Sequence, residues 1–255
     1  MIQPYLILVG GLAITGVLQR RKKLNLKVKQ VQRQFEREQQ KMNDTSRSEN
    51  LLRARISLEE KSHKIQESIV QINILMRKAE TQFAREEWAK AEKNLVQVLS
   101  FDEHNLKAHR LLGLTYLHRG EWKKAELIYK NLFDLEPREA SHYGNLGLAF
   151  YHQAKYPFAR EAYKNALRID DKKASRWVSL GQVYLKLKDF TSAQDAFAHA
   201  VKLEARNLEY LFALAEACEL GANIKYARKT YERILELSPY SEEAKEKLAK
   251  LEEKL

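Results

Sequence analysis

Apolar and small residues recur along the C-terminal two thirds of the chain at a constant spacing of 34 residues. The clearest copy begins at Ala174 and is apolar at its positions 4, 7, 11 and 24 and small at positions 8, 20 and 27. These seven residues are Trp177, Leu180, Gly181, Tyr184, Ala193, Phe197 and Ala200. Steps of 34 residues in both directions find four further copies without an insertion, so that residues 72–241 form five consecutive repeats.

The spacing inside each copy predicts two short helices. Positions 4, 7, 8 and 11 lie on one face of a first helix, and positions 20, 24 and 27 lie on one face of a second. Glycine or alanine at position 8 and alanine at position 20 allow the two helices to approach closely. Because one copy cannot bury both faces alone, neighbouring copies must stack into a solenoid with a concave side. The sequence therefore predicts an all-α fold.

The two ends of the array differ from its centre. In the first copy, Lys78 and Gln82 replace apolar residues, as is common in terminal repeats. After the last copy, residues 242–255 place Ala244, Leu248 and Leu251 on one face, which predicts a capping helix. The single cysteine, Cys218, takes position 11 and is predicted to be a core residue. A lone cysteine forms no intramolecular disulfide and no cysteine-based metal site.

These repeats resemble the tetratricopeptide-repeat family over residues 72–241. The resemblance implies that the first helices line a concave groove and bind extended peptides or helices of partner proteins. Some family members clamp the C-terminal carboxylate of chaperones with lysine, asparagine and arginine side chains. Asn145 matches one of those positions, but Ser175 and Ser179 stand where lysine and arginine are expected. The sequence therefore argues against a chaperone clamp.

Positions 2, 5, 9 and 12 of each copy form the stripe that is expected to face the groove. This stripe is more apolar than an ordinary solvated helix face, which is typical of a binding surface. Packing between adjacent repeats would explain the same pattern, and both interpretations stay open at this stage. The candidate partner-binding residues are Lys107, Arg110, Leu114, Leu117, Leu148, Tyr151, Gln182 and Leu185.

Residues 1–19 contain no charged side chain, and residues 2–18 are mostly apolar. As a helix this stretch would span about 26 Å, close to the lower limit for a hydrocarbon core of roughly 30 Å. The cations Arg20 to Lys23 follow it, whereas a cleaved signal peptide carries its cations before the apolar run. We therefore predict an uncleaved transmembrane helix. The positive-inside rule then predicts a single-pass membrane protein with cytoplasmic repeats.

Residues 20–71 are predicted to form a basic juxtamembrane segment followed by a helical stalk. Leu51, Leu58, Ile65 and Ile72 lie seven residues apart, as in a coiled coil that would dimerise the chain. Arg55 and Ser62 interrupt this seam, so a solvated helical spacer is slightly favoured over the coiled coil.

The positive charge of the chain is concentrated next to the predicted membrane helix. The net charge is +11, and residues 20–41 hold nine basic and two acidic side chains, which is +7 of that total. The remaining +4 is spread over all other residues, so the repeats are close to neutral. Duplex binding usually needs a basic face on the folded domain. We therefore predict no nucleic-acid partner.

Residues for catalysis or for a cofactor are not evident. The seven histidines show no metal-ligand spacing; His109 takes a core position and the other six are expected at the surface or in the groove. The chain has no phosphate-binding loop, no dinucleotide fingerprint and no nucleophile elbow. Adjacent carboxylates such as Glu86 and Glu87 cannot share one helix face. The sequence therefore predicts a protein that is not an enzyme, with no catalytic residue, metal or cofactor.

The predicted organisation is a transmembrane anchor at 1–19, a juxtamembrane segment and helical or coiled-coil stalk at 20–71, five repeats at 72–241 and a capping helix at 242–255. The favoured hypothesis is a membrane-tethered scaffold that binds partner proteins in its groove. The alternative is a structural protein that self-associates into a homo-oligomeric membrane coat. An anchor before repeats also resembles the bacterial lipopolysaccharide-assembly repeat proteins, but those end in a rubredoxin-like cysteine metal site that this sequence lacks.

Overall fold

A computed structural model describes residues 29–34, 36–38 and 45–252. Regular secondary structure within these ranges is entirely helical. The chain divides into two units, Met1–Gln71 and Ile72–Leu255, which are described separately.

In the first unit, residues 29–34 and 36–38 are helical, and helix α1 begins at Thr45 and ends at Ala84 in the second unit. Apolar side chains are scattered around this part of α1. Ile65 lies on the predicted coiled-coil seam and is 46% exposed, whereas Ile56 is 47% exposed and lies nine residues earlier, on the opposite face. Because the apolar residues do not form one stripe, the structure gives the predicted coiled coil no support.

None of the described helices combines the length and the apolar character that a membrane crossing requires. Helix α1 is long enough at about 60 Å, but charged side chains recur along it, and each is costly inside hydrocarbon. This finding contradicts the prediction of a single-pass membrane protein with cytoplasmic repeats. The anchor predicted at 1–19 lies outside the described residues, as does the juxtamembrane segment up to residue 28.

The second unit consists of helix pairs with a constant period. The first helices after α1 begin at residues 106, 140, 174 and 208, and the second helices begin at residues 88, 122, 156, 190 and 224. The predicted spacing of 34 residues is therefore confirmed at every step. In chain order the helices are α2 Trp88–Phe101, α3 Leu106–His118, α4 Trp122–Leu135, α5 Ala140–His152, α6 Tyr156–Ile169, α7 Ala174–Lys186, α8 Phe190–Leu203, α9 Leu208–Leu220, α10 Ile224–Leu237 and α11 Glu242–Glu252.

Small residues at two fixed positions bring the helices of each pair together. The alanines at position 20 are all fully buried, and they are Ala91, Ala125, Ala159, Ala193 and Ala227. At position 8, a Cβ atom on Gly147 would lie 2.9 Å from the ring of Tyr163, and one on Gly181 would lie 2.8 Å from the ring of Phe197. These distances are shorter than real carbon contacts, so the position 24 ring packs directly on the glycine backbone.

The turn inside each repeat requires a left-handed residue at position 15. Gly120 has φ of +70° there, and glycine adopts that conformation without steric cost. The other repeats use residues with a side chain, among them Ala154 with φ of +57° and Ala222 with φ of +56°. A left-handed conformation costs an L-amino acid roughly 1 kcal/mol. The fold therefore keeps this turn even where the sequence disfavours it.

The C-terminal helix α11 covers the end of the array. Its residues Ala244 and Leu251 are buried at 0% and 1% exposure. Helix α11 packs on α10 of the last repeat. An amphipathic helix therefore lies where the pattern of residues 242–255 predicted one.

Candidate protein-binding groove

A cavity of about 190 Å³ opens between the first helices of the third and fourth repeats. Position 2, 5 and 9 residues of α5 line it together with position 2 and 6 residues of α7. Residues of two consecutive first helices therefore face one space, although α7 contributes only one residue of the predicted stripe, Ser175. The lining consists of Ser141, Gly144, Asn145, Leu148, Tyr163, Lys173, Ser175, Arg176 and Ser179.

The two cations predicted for the groove form ion pairs with carboxylates outside their own helix. Lys107 forms an ion pair with Glu80 of α1. The Nε atom of Arg110 donates to Glu136 Oε2 at 2.9 Å, and a second guanidinium nitrogen contacts the same oxygen. Both cationic side chains are about half exposed, so they are oriented by their partners and still face solvent.

Glu136 also binds a buried histidine. The Nε2 atom of His142 lies 3.1 Å from Glu136 Oε2, and the His142 side chain is 2% exposed. Burial tends to raise the pKa of Glu136, but the hydrogen bonds from Arg110 and His142 lower it below its ordinary value. Burial lowers the pKa of His142, although its bond to Glu136 opposes this. The expectation that His142 lies at the surface or in the groove is therefore wrong, because its ring packs at the junction of two repeats.

The apolar candidates divide by burial. Leu114, Leu148, Tyr151 and Leu185 are half-buried and pack against the core, so each presents part of its surface. Leu117 is only 8% exposed and contributes to the core. Gln182 is exposed. Of the eight candidates, the structure places Leu148 in the cavity between α5 and α7, and it does not bring the others into that cavity.

Several cavity residues were not among the sequence candidates. Ser141, Gly144 and Ser175 lie at positions 2 and 5 of the predicted stripe but were not among the eight candidates, and Ser179 lies at position 6, outside the stripe. All four have small side chains. The sequence feature that these residues share is small side chains on the first helices of two adjacent repeats. Arg176 also escaped notice, because position 3 lies beside the predicted stripe. Its side chain is 12% exposed and pairs with Asp170.

A larger cavity of about 420 Å³ lies among helices α6, α7 and α8. Trp177 lines it and stacks on His199 with ring centroids 4.4 Å apart. The indole nitrogen of Trp177 donates to the Asp171 carbonyl oxygen at 2.8 Å, which fixes the ring. Lys164, Arg168 and the carboxylates of Asp171 and Asp195 surround the opening, so the charges at this cavity are mixed.

Metal binding and thiol chemistry find little support in the described part of the chain. Within it, no group of three or more histidine, cysteine or acidic side chains is arranged to hold a metal ion. Cys218 is fully buried, and burial raises the pKa of its thiol to about 11. A neutral buried thiol is a poor nucleophile, which agrees with a packing role.

Sequence comparison identifies one family. The family model described as tetratricopeptide repeat matches residues 76–131, 122–174 and 178–242, which together are more than half of the chain. A search of curated proteins found no match.

Comparison with solved structures finds helical repeat proteins. A MamA protein aligns with a TM-score of 0.63 and 21% identity, over 67% of this chain and 96% of that one. MamA from Desulfovibrio magneticus RS-1 aligns with a TM-score of 0.63 and 14% identity, over 68% and 97%. YrrB, described as a tetratricopeptide-repeat protein with an unusual peptide-binding site, gives 0.59 and 14%, over 71% and 91%. At these identities the similarity concerns the fold alone.

Proposed function

Because this chain belongs to the tetratricopeptide-repeat family, we propose that it is a protein–protein interaction scaffold that binds a partner segment along the first helices of its repeats. The partner is an extended or helical segment, and its side chains enter the space between consecutive first helices. The groove is defined here as the surface formed by positions 2, 5, 9 and 12 of the repeats.

The observation that carries this proposal is the cavity between α5 and α7. It combines a partly apolar lining, from Leu148 and Tyr163, with hydroxyl, amide and cationic groups. Binding sites on proteins typically pair apolar surface with a few polar groups that fix orientation. An ordinary solvated helix face would not enclose such a space between two repeats.

The paired cations support the same proposal. Lys107 and Arg110 are held by Glu80 and Glu136, so a partner does not have to order these long side chains itself. Ordering a flexible side chain on binding costs about 0.5–1.5 kcal/mol, and prior fixation removes much of that cost. The carboxylates also reduce the local positive charge, which favours hydrogen bonding to a polar segment over binding to a highly charged one.

Site-specific photo-crosslinking in cells tests the proposal. A photo-reactive amino acid replaces Gln182, an exposed residue at groove position 9, and in a matched variant it replaces Leu127, which is 60% exposed on second helix α4. We expect a discrete crosslinked partner from position 182 and a much weaker product from position 127. Crosslinks that form only from position 127 would show that partners bind elsewhere.

A second variant checks that the crosslink depends on groove chemistry. Arg110→Glu places a carboxylate beside Glu136, and Tyr151→Ala removes a half-buried ring from the groove. We expect the double variant to lose the crosslink from position 182 while it keeps its helical content. Undiminished crosslinking in that variant would argue against groove binding.

Self-association of the chain into a homo-oligomer stays a prediction.

A further inference from the structure

Gly144 has no packing reason to be glycine. It lies inside helix α5, where glycine is less favourable than alanine because it loses more backbone freedom on folding. Gly113, Gly147 and Gly181 are explained by rings that would lie within 2.9 Å of an added Cβ. At Gly144, no neighbouring atom lies within 4 Å of that position. The fold would therefore accept a side chain here.

The open space at Gly144 is part of the groove. Position 5 of the other four repeats holds Met76, Arg110, Val178 and Phe212, which are all much larger. Only the third repeat leaves a gap at this position, and the gap opens into the cavity between α5 and α7. Ser141, Ser175 and Ser179 keep the rest of the cavity open because their side chains are also small.

The size of the cavity indicates what can enter. Sites for small-molecule ligands are typically about 300–1,000 Å³, whereas this cavity measures about 190 Å³. It therefore has room for a single side chain. Leu148 and the buried residue Tyr163 contribute apolar surface to its lining.

The charges of the lining favour an anion. Lys173 and Arg176 line the cavity, and no carboxylate is among its lining residues. Arg176 is already paired with Asp170, but Lys173 is exposed and has no ion-pair partner among the described residues. The hydroxyl group of Ser175 is a further donor beside it. Charge-assisted hydrogen bonds from such donors to a carboxylate are about twice as strong as neutral ones.

We propose that Gly144 opens a specificity pocket for one acidic side chain, aspartate or glutamate, within the partner segment, and that Lys173 and Ser175 bind its carboxylate. This inference rests on the proposed function, since the acidic residue belongs to a segment bound in the groove. In this proposal, the third and fourth repeats select the partner by binding one carboxylate inside the partner segment.

The first experiment measures the stability of variants at position 144. Gly144→Ala adds one methyl group in open space, so we expect the melting temperature of the full chain to rise by about 2 °C. Gly144→Leu fills the cavity and is expected to melt no lower than the wild type. A clear fall in the melting temperature of Gly144→Ala would show that glycine is needed for folding, and would overturn the inference.

The second experiment uses a defined probe. The full chain is panned against a phage-displayed library of random peptides, and the enriched peptides are synthesised for fluorescence anisotropy. We expect these peptides to share an internal acidic residue whose replacement by its amide weakens binding at least tenfold. Gly144→Leu and Lys173→Gln should each weaken the acidic peptide to a similar degree, and neither should weaken the amide form further.

Two outcomes would refute the pocket without refuting the proposed function. In the first outcome, the peptides bind the wild type and the Gly144→Leu variant equally well but fail to bind the Arg110→Glu and Tyr151→Ala double variant. That result would support groove binding and refute the pocket. Dependence on a free peptide C-terminus in place of an internal acidic residue would also refute it. A library that yields no binder would count against both proposals.

Discussion

Replacement of Gly147 by alanine tests the contact between the Gly147 backbone and the ring of Tyr163 in the third repeat. Gly147 occupies position 8 of α5, and three ring atoms of Tyr163 would lie 2.9 Å from an added Cβ. Ordinary carbon contacts begin near 3.4 Å, so the ring must move by about half an ångström. Tyr163 is only 4% exposed. It also lines the cavity between α5 and α7, so part of this movement can be directed into that space.

The expected cost follows from two opposing effects. Forcing extra volume into a packed core destabilises a protein by about 1–3 kcal/mol. Alanine in a helix interior is better than glycine by about 0.5–1 kcal/mol, which offsets part of this cost. We therefore expect Gly147→Ala to lower the free energy of unfolding by roughly 0.5–2 kcal/mol. For a unit of this size, the melting temperature should fall by about 2–6 °C.

Thermal and urea unfolding of the full chain, followed by circular dichroism, measure this change. Gly144→Ala is the matched control, because it makes the same substitution three residues away in the same helix and is expected to stabilise. In a Tyr163→Leu background, which is itself less stable, Gly147→Ala should no longer destabilise. If Gly147→Ala melts at or above the wild-type temperature, the ring contact does not require glycine and the packing argument is wrong.

Two further changes test other parts of the repeat unit. Ala222→Gly removes a side chain from a residue with φ of +56°, so we expect thermal unfolding to show stabilisation by about 1 kcal/mol. Burial tends to raise the pKa of Glu126, but hydrogen bonds from Lys130, Lys155 and Gln153 lower it to about 2. A carboxyl group whose pKa is lowered on folding stabilises the fold above its ordinary pKa, and this contribution is lost as the pH falls from about 4.5 toward about 2. Urea unfolding as a function of pH should therefore show a smaller acid loss of stability in Glu126→Gln, and an unchanged pH profile would contradict this assignment.

The repeat fold could be predicted because packing imposes the same demand five times. Position 20 must be small where two helices cross, and alanine is fully buried there in every copy. Position 24 must be large, and Tyr129, Phe197 and Tyr231 are each 1% exposed. A periodic pattern of this kind states which residues face each other, so the helices and their pairing follow from the sequence.

Contacts between helices of different repeats were less predictable. His142 occurs at position 3, where the other four copies have Ile74, Ala108, Arg176 and Tyr210, so no periodic rule indicated its burial. Its burial depends on Glu136, a residue of the preceding repeat that also binds Arg110. Such an arrangement depends on particular side chains and distances, which the spacing of apolar residues does not specify.

The groove was predicted as a surface, but its cavity was not. The predicted groove residues include large side chains such as Arg110 and Tyr151. The enclosed space exists because Gly144 has no side chain and Ser175 has a small one. Small residues of this kind do not by themselves indicate a binding site in a sequence. The structure was needed to show that these small residues of two repeats meet.

In a repeat protein, comparison of the copies with each other separates packing from function. A residue that recurs at one position, such as Gly147 at position 8, is required by packing that every copy shares. A residue that differs from its equivalents without a packing reason points to a role of one repeat alone. Gly144 is such a departure, since its equivalents are large and its surroundings are empty. Packing explains Gly147, and we propose partner selection as the reason for Gly144, three residues away in the same helix. Opposite effects of alanine on stability at these two positions would distinguish the two explanations.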